Sequence, residues 1–518
     1  MAQLGSALAL GARGPRFESE RPDYRINYEV RPSRSAGNTR LQMTTVWDSR
    51  QPSAADRDSF ADSKLGSFWL DGLPSRTPQP SLHGSTTADL CIVGGGYTGL
   101  WAALQAKADN PDRDVLLVEA ATAGFGASGR NGGFLEQSLT HGIANGINHF
   151  PDEIDRIERL ARESFAGLVA DISSYSIDCD LDLCGAINVA TEAHQVEGLR
   201  EEAEHQRRFG LAVELFDNPE AIQQQVASPL FLAGVWSKDG AGTIHPGKLA
   251  EGLLNAALAA GVRVHENTRA LKLLPTTTGV CVQVEGGEVE ARRAVIATSA
   301  YRPLVREVRR YVAPVYDYVL VTEPLSDEQL DSLGWAGRQG ISDSANRFHY
   351  YRLTPDNRIL WGGYEAVYRY GGSVGGKHDD DPEVFAALAR NFFLNFPQLN
   401  GLRFTHRWGG AIDTCSRFSV FFGTACGGRA AYAAGYTGLG VGATRFGARV
   451  ALDLADGRAT EATGLEMVRK KPVPFPPEPL RSAVIQLTRN RIAAADANGG
   501  QRGLWLRTLD GLGLGFDS

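Results

Sequence analysis

The sequence contains few cysteines. Its 518 residues include six, and no two are spaced as Cys-X-X-Cys. Six cysteines are too few for a disulfide framework in a chain of this length, and their spacing argues against zinc ribbons and thioredoxin-type chemistry. We therefore expect neither a disulfide network nor a metal centre. The cysteines are Cys91, Cys179, Cys184, Cys281, Cys415 and Cys426.

Long apolar runs and an excess of basic residues are also missing. No stretch approaches 18 consecutive apolar residues, so no transmembrane helix is predicted. The 53 Lys and Arg residues are outnumbered by 60 Asp and Glu residues, giving a net charge of −7. This balance argues against nucleic acid or an anionic membrane as the main partner. Together these absences favour a soluble, cytoplasmic protein.

The two ends of the chain differ from its middle. Residues 1–42 are rich in arginine and have little apolar periodicity, so they are predicted to form a disordered arm. Residues 43–86 are interpreted as a leader and linker, with Phe68 and Trp69 packed on a domain surface. Residues 459–518 form a proline-bearing C-terminal extension with a helix predicted at Ser482–Ala495.

Glycine is abundant and clustered. The 59 glycines make up about 11% of the chain, against a typical ~7%. Gly94, Gly96 and Gly99 fit Gly-X-Gly-X-X-Gly between a predicted strand, Ala88–Val93, and a predicted helix. Such a turn lets a pyrophosphate approach the backbone, where the helix N-terminus stabilises its charge. Tyr97 and Thr98, between the last two glycines, belong to the predicted binding turn.

An acidic residue follows at the expected distance. Glu119 ends the next predicted strand, 20 residues after Gly99. A carboxylate there accepts hydrogen bonds from a ribose diol and repels a 2′-phosphate, so a dinucleotide other than NADP is predicted.

A second glycine cluster, 124–133, separates NAD from FAD. An ordinary nicotinamide dehydrogenase has no need of small residues there, whereas an extended flavin cofactor crosses the chain at this place. The cluster therefore favours FAD. Its predicted cofactor-binding residues are Ser128, Gly129, Arg130, Asn131, Gly132 and Gly133.

These motifs resemble those of the FAD-dependent D-amino-acid oxidase superfamily, and within it the gamma-glutamylputrescine oxidoreductase type. The resemblance covers roughly residues 67–454. It departs at 299–300, where Ser-Ala replaces the usual Gly, and at 414–420, which lacks a Pro. It rests on Gly94–Leu100, Gly126–Gly133, Gly242–Leu249, Val295–Thr298, Arg407–Gly410 and Gly435–Val441.

The resemblance implies an α/β fold: a Rossmann-like FAD-binding domain of the glutathione-reductase type with an inserted substrate domain built on a mixed or antiparallel sheet. It divides the chain into a discontinuous FAD-binding domain, 87–175, 235–305 and 405–458, and a substrate domain, 176–234 and 306–404. It further implies that a helix beginning near Gly438 stabilises the reduced flavin. The additional FAD-binding residues that it implies are Ala270, Thr298, Gly438, Leu439, Gly440 and Val441.

The substrate face is expected from Val315–Glu323 and 349–363, by analogy with the superfamily. Arg347, Arg352 and Arg358 are candidates to hold a carboxylate. Four aromatic residues are predicted to line the pocket, where aromatic rings suit an aminium or an alkyl amine. They are Tyr350, Trp361, Trp408 and Tyr436.

The implied reaction is oxidation of a C–N bond of an amine or amino acid by hydride transfer to flavin N5, with oxygen as acceptor and imine hydrolysis afterwards. Some superfamily members attach flavin through a cysteine in the region of Cys415. The surrounding motif differs here, so noncovalent FAD is expected. Two alternatives stay open: a non-catalytic flavin-binding subunit and an NAD-dependent dehydrogenase. No residue is assigned as a general base from the sequence.

Overall fold

The computed structural model describes residues 44–511 and 514, so the predicted arm, 1–42, lies outside the described residues. The strands are β1 Lys64–Leu65, β2 Gly84–Val93, β3 Val115–Val118, β4 Phe134–Glu136, β5 Ala186–Ala190, β6 Val213–Phe216, β7 Ala233–Ser237, β8 Ala241–Thr243, β9 Arg263–His265, β10 Ala270–Pro275, β11 Val280–Val284, β12 Gly287–Ile296, β13 Ala313–Thr322, β14 Gly340–Asp343, β15 His349–Leu353, β16 Ile359–Gly363, β17 Val367–Tyr368, β18 Phe404–Thr414, β19 Phe421–Ala425 and β20 Ala430–Ala434.

The helices are α1 Ala54–Asp58, α2 Phe68–Asp71, α3 Tyr97–Asp109, α4 Ile143–His149, α5 Ile154–Ser174, α6 Val196–Arg208, α7 Pro219–Gln223, α8 Pro246–Ala259, α9 Asp327–Leu333, α10 Pro382–Asn395, α11 Gly440–Asp456, α12 Glu461–Gly464, α13 Glu466–Arg469, α14 Leu480–Asp496 and α15 Leu504–Gly511. None of the helices in the described part of the chain is long and apolar enough to cross a membrane.

The first sheet has a parallel centre. Its strand order is β10-β11-β12-β2-β3-β9, with β20 beside β12 and β19 beside β20. β2 runs parallel to both β3 and β12, and its last four residues are buried. A strand covered on both faces needs such a continuous apolar run. With α3 between β2 and β3, this sheet confirms the predicted Rossmann-like α/β class.

The second sheet is mixed, as predicted, with mostly antiparallel pairs. Its order is β1-β18-β13-β16-β15-β14-β5-β7-β6, with β17 beside β13. β13 and β18 pair along nearly their whole lengths, from Ala313 opposite Thr414 to Thr322 opposite Phe404. The start of the predicted FAD-binding segment at residue 405 therefore falls inside the second sheet, and the chain crosses to the first sheet only after β18.

The leader is part of the core rather than a surface cover. Trp69 is fully buried, and its indole Nε1 donates to the carbonyl of Asn131 at 2.8 Å. Arg76 forms two hydrogen bonds of 2.6 Å with the buried carboxylate of Glu266. Burial alone would raise the pKa of Glu266, but the hydrogen bonds from Arg76 and from backbone amides lower it. The leader thus holds the glycine-rich loop and the first sheet together.

Candidate functional site

A cavity of about 2610 Å³ is lined by elements of both sheets and of the C-terminal extension. Pockets for drug-sized ligands are commonly about 300–1,000 Å³, so this one has room for an extended cofactor and a substrate. No group of His, Cys, Asp or Glu side chains suited to hold a metal ion is found among the residues that the structure describes.

Two glycines of the first turn, Gly94 and Gly96, line the cavity, and neighbouring groups leave no room there for a side chain. Gly94 has φ +111°, and a Cβ there would come within 2.4 Å of the carbonyl oxygen of Ala297. Gly96 is the N-cap of α3 and has no side chain of its own to cap the helix. Gly99 does not line the cavity, and a Cβ there would meet the Gly94 carbonyl oxygen at 1.9 Å. It allows the helix to pack closely on the turn.

Glu119 presents its carboxylate at the end of β3. Its two oxygens accept from the amides of Gly95, at 2.7 Å, and Ala121, at 2.9 Å. Burial raises the pKa of Glu119, whereas these amides lower it in part. The side chain lines the cavity, as do Ala270 and Thr298. A carboxylate held in this way keeps lone pairs for a ribose diol.

The second glycine cluster combines cavity-lining and packing residues. Ser128, Asn131 and Gly132 line the cavity, and the Ser128 hydroxyl accepts from the Tyr97 amide at 2.9 Å. Gly129 and Gly133 do not line the cavity, and a Cβ on either would collide with a carbonyl oxygen at 2.4 Å. These two glycines therefore shape the loop rather than contact a ligand.

Arg130 lines the cavity, but its guanidinium is paired within the protein. Nη1 donates to Asp379 at 2.6 Å, and Nε donates to the Phe125 carbonyl at 3.0 Å. The Arg130 carbonyl in turn accepts from the Trp408 indole at 2.8 Å. The residue consequently joins the glycine loop to the second sheet.

The start of α11 forms the opposite part of the wall. Leu439 is the N-cap, with no side chain capping the helix, and a Cβ on Gly438 would meet nothing within 4 Å. Val441 and Gly440 line the cavity beside them. Uncapped amides at a helix N-terminus are ready donors for an electron-rich ligand edge.

Tyr436 and Thr98 link the two helix starts. The Thr98 hydroxyl donates to the Tyr436 hydroxyl at 2.9 Å, and both residues are largely buried but line the cavity. The preceding Gly435 amide donates to the buried Asp413 carboxylate at 2.7 Å. Burial raises the pKa of Asp413 to about 6. Asp413 was not predicted as a site residue.

Tyr350 faces the cavity together with Asp317, a residue that the sequence analysis did not single out. The Tyr350 hydroxyl donates to the Asp317 carboxylate. A Cβ on Gly132 would come within 2.6 Å of the Tyr350 ring, so this pair lies directly against the glycine loop. Burial raises the pKa of Asp317 to about 6, while hydrogen bonds from Tyr350 and backbone amides oppose the rise. Asp317 faces Gly410 across the β13–β18 pair.

Trp361 and Trp408, predicted to line the pocket, are instead buried behind its wall. Trp361 has no exposed surface and packs on Tyr351 with ring centroids 4.5 Å apart. Trp408 is 1% exposed and packs in a cluster with Trp69. Neither residue lines the cavity. Both strands alternate their side chains, and these two point into the cores.

The three predicted carboxylate-binding arginines are engaged elsewhere. Arg347 lines the cavity but bonds Asp48 at 2.5 Å. Arg352 is buried and donates to the carbonyls of Gly133 and Ile244, and burial lowers its pKa to about 10. Arg358 bonds Asp356 and does not line the cavity. They serve as structural groups.

Comparison with known proteins identifies the family. The family model described as FAD dependent oxidoreductase, DAO, matches residues 89–454. The chain belongs to this family. It is 33% identical over 413 residues to gamma-glutamylputrescine oxidoreductase of Escherichia coli (strain K12), across 76% of this chain and 89% of that protein.

Solved structures show the same fold. Glycine oxidase from Geobacillus kaustophilus superposes with a TM-score of 0.60 at 20% identity, over 73% of this chain and 96% of that one. L-proline dehydrogenase from P. horikoshii gives a TM-score of 0.59 at 17% identity, over 75% and 96%. Both likenesses support the predicted fold.

The chain is therefore an FAD-dependent oxidoreductase, as predicted, and the NAD-dependent and non-catalytic alternatives are set aside. The wall described above fits the cofactor. The glycine turn at Gly94 and Gly96, which brings backbone to the cavity at the start of α3, suits a pyrophosphate, Glu119 suits the ribose, and the uncapped start of α11 suits an electron-rich ring edge.

We expect the FAD to be noncovalent, although Cys415 lines the cavity. Its Sγ is buried and bonds the carbonyl oxygens of Ser419 and Gly435, and burial raises the thiol pKa. A protonated thiol is a poor nucleophile. Acid precipitation should leave the flavin in the supernatant for both the wild type and Cys415→Ser. Flavin retained in the pellet by the wild type alone would contradict this expectation.

Proposed function

We propose that this protein oxidises the C–N bond of an amine or amino acid, with oxygen as the electron acceptor. The observation that carries the proposal is the Asp317–Tyr350 pair, which faces the cavity next to the glycine loop. A relative that is 33% identical is named gamma-glutamylputrescine oxidoreductase, and a structural neighbour is a glycine oxidase. Both names denote enzymes acting on nitrogen-bearing substrates, which supports the proposal.

The charge of this wall favours an amine. Above pH ~6 the Asp317 carboxylate is ionised, so it attracts an aminium and can accept its proton. The arginines predicted to hold a carboxylate are engaged within the protein. An amine is therefore favoured over an α-amino acid.

The roles of the protein groups follow from this placement. Asp317 takes the nitrogen proton and Tyr350 orients the carboxylate, so that a neutral amine meets the cofactor. FAD held by the glycine turn, Glu119 and the start of α11 would supply a two-electron acceptor for the hydride on the carbon beside nitrogen, and oxygen reduced to hydrogen peroxide would be the final acceptor. Water then adds to the imine C=N bond, and the products are a carbonyl compound and the released amine or ammonia.

An anaerobic substrate panel tests this proposal. Polyamine derivatives, N-methyl amino acids, D-amino acids and simple alcohols are mixed with the protein while the flavin absorbance is followed. We expect bleaching by amines, with a rate that rises with pH as the bound substrate loses its proton. Readmission of oxygen should then yield hydrogen peroxide. Bleaching by alcohols alone, or by none of the compounds, would overturn the proposal.

A further inference from the structure

One wall of the cavity comes from outside the family segment. Helix α14, Leu480–Asp496, follows the matched residues 89–454, yet one of its faces lines the cavity. The lining residues recur every three or four positions, which places them on one face of a helix. Five of them are apolar or uncharged, Val484, Ile485, Thr488, Ile492 and Ala493, and the polar lining residues Arg481, Arg489, Asn490 and Asp496 lie among and beyond them.

Polar contacts fix α14 to the second sheet along its length. Near its start, Glu478 accepts from the Tyr368 hydroxyl at 2.7 Å. In its middle, Arg489 bonds Glu365 at 2.7 Å. At its end, the buried Asp496 accepts from the Asn346 side-chain amide at 2.5 Å. These three contacts hold α14 in place beside the cavity.

This wall is connected to the proposed reaction site through one segment of the chain, and both line the same cavity. The Gly363 amide hydrogen-bonds Asp317, and Glu365, the partner of Arg489, comes two residues after Gly363. The Tyr368 that binds the start of the helix pairs with Val315 on β13, the strand that carries Asp317. One short segment of chain thus joins α14 to the Asp317 strand.

We propose that α14 selects the substrate by contacting the apolar part of the substrate. The preferred substrate is then an amine with a hydrocarbon substituent that packs on Ile485, Thr488 and Ile492. This inference rests on the proposed amine oxidation. Asp317 holds the nitrogen end, whereas the α14 face offers methyl groups to the remainder. An added or removed methylene in such a pocket typically changes kcat/KM by about 10- to 200-fold.

The test uses the full-length holoenzyme and a series of straight-chain primary amines from butyl to octyl. Ile485→Ala should lower the ratio of kcat/KM for octylamine over butylamine by at least about 10-fold, since it removes the hydrocarbon surface on which the longer chain packs. Ile485→Asn, which also makes the surface polar, should lower that ratio at least as far. Leu487→Ala is the matched control: it lies on the same helix, is 37% exposed and does not line this cavity. Its ratio should stay at the wild-type value.

A second readout separates this inference from the proposed function. The same amines are titrated into each protein without oxygen, and dissociation constants are taken from the flavin absorbance change. If no amine reduces the wild-type flavin, the proposed function fails. The ratio of the dissociation constants of octylamine and butylamine still tests whether α14 contacts the hydrocarbon substituent. Unchanged ratios in both Ile485 variants, or no binding of any amine, would overturn the proposal that α14 selects the substrate. Flavin content and thermal melting confirm that each variant is folded.

Discussion

Asp317→Asn is expected to lower kcat/KM for the best amine by about 10²- to 10⁴-fold, the usual range for loss of a proton-accepting group. The amide keeps the size of the carboxylate and its contact with Tyr350, but it neither attracts an aminium nor takes its proton. FAD binding should be unaffected, because Asp317 is not among the residues proposed to hold the pyrophosphate and the ribose. Steady-state kinetics and the flavin spectrum measure both.

The pH profile gives this prediction a specific signature. Burial raises the pKa of Asp317 to about 6, so the ionised form is lost as the pH falls through that value. The wild-type kcat/KM should accordingly drop about tenfold per unit below pH ~6, and this inflection should be missing in Asp317→Asn. Asp331→Asn, at an exposed position on α9, should keep it. A wild-type inflection that persists in Asp317→Asn would show that another group is responsible.

The cofactor side of the fold could be predicted because its constraints are local. The strand before Gly94, the helix after Gly96 and the acid at Glu119 lie within about thirty residues, and each has a fixed position in a βαβ unit. In the structure Gly94, Gly96 and Glu119 line one cavity, and their role in binding FAD stays a prediction. What the sequence did not distinguish is which glycines face a ligand. A backbone carbonyl approaches Gly94, Gly99 and Gly133 alike, but of these three only Gly94 lines the cavity.

The substrate side depends on contacts distant in sequence, and here prediction was weaker. Trp361 and Trp408 resembled pocket aromatics, but the alternation of their strands turns them into the cores. Asp317 was overlooked, although a charged residue within the apolar run 315–321 was the available signal. Arg352 was misjudged because its partners, the carbonyls of Gly133 and Ile244, lie more than 100 residues away.

Contacts distant in sequence also limited the prediction of the domain boundaries. The segment of β18 that contains Gly409 and Gly410 was assigned to the FAD-binding domain from its sequence motif. Its pairing with β13 in the second sheet was not predicted. The C-terminal extension carried no recognisable chemistry, and only the fold shows that α14 reaches the cavity.

Glu119→Ala is expected to weaken FAD binding by about 10- to 150-fold while the protein still folds. The carboxylate is held by the amides of Gly95 and Ala121, which fix its orientation toward the cavity. A hydrogen bond to a charged group contributes about 1.5–3 kcal/mol, and the stated loss of affinity corresponds to that range. The two amides also lose their acceptor, so part of the effect reflects the turn itself. Equilibrium titration of the apoprotein with FAD measures the dissociation constant.

Two further variants distinguish the contribution of the ribose contact to FAD affinity from the contributions of the glycine turn and of the negative charge. Glu119→Gln retains one acceptor oxygen, so its affinity should fall between those of the wild type and Glu119→Ala. Glu204→Ala removes an exposed carboxylate on α6 and should leave the dissociation constant unchanged. Because burial raises the pKa of Glu119, wild-type affinity should decline as the pH falls and the carboxylate is protonated, and Glu119→Ala should lack that decline. Equal affinities of the wild type and Glu119→Ala would mean that Glu119 serves only the turn.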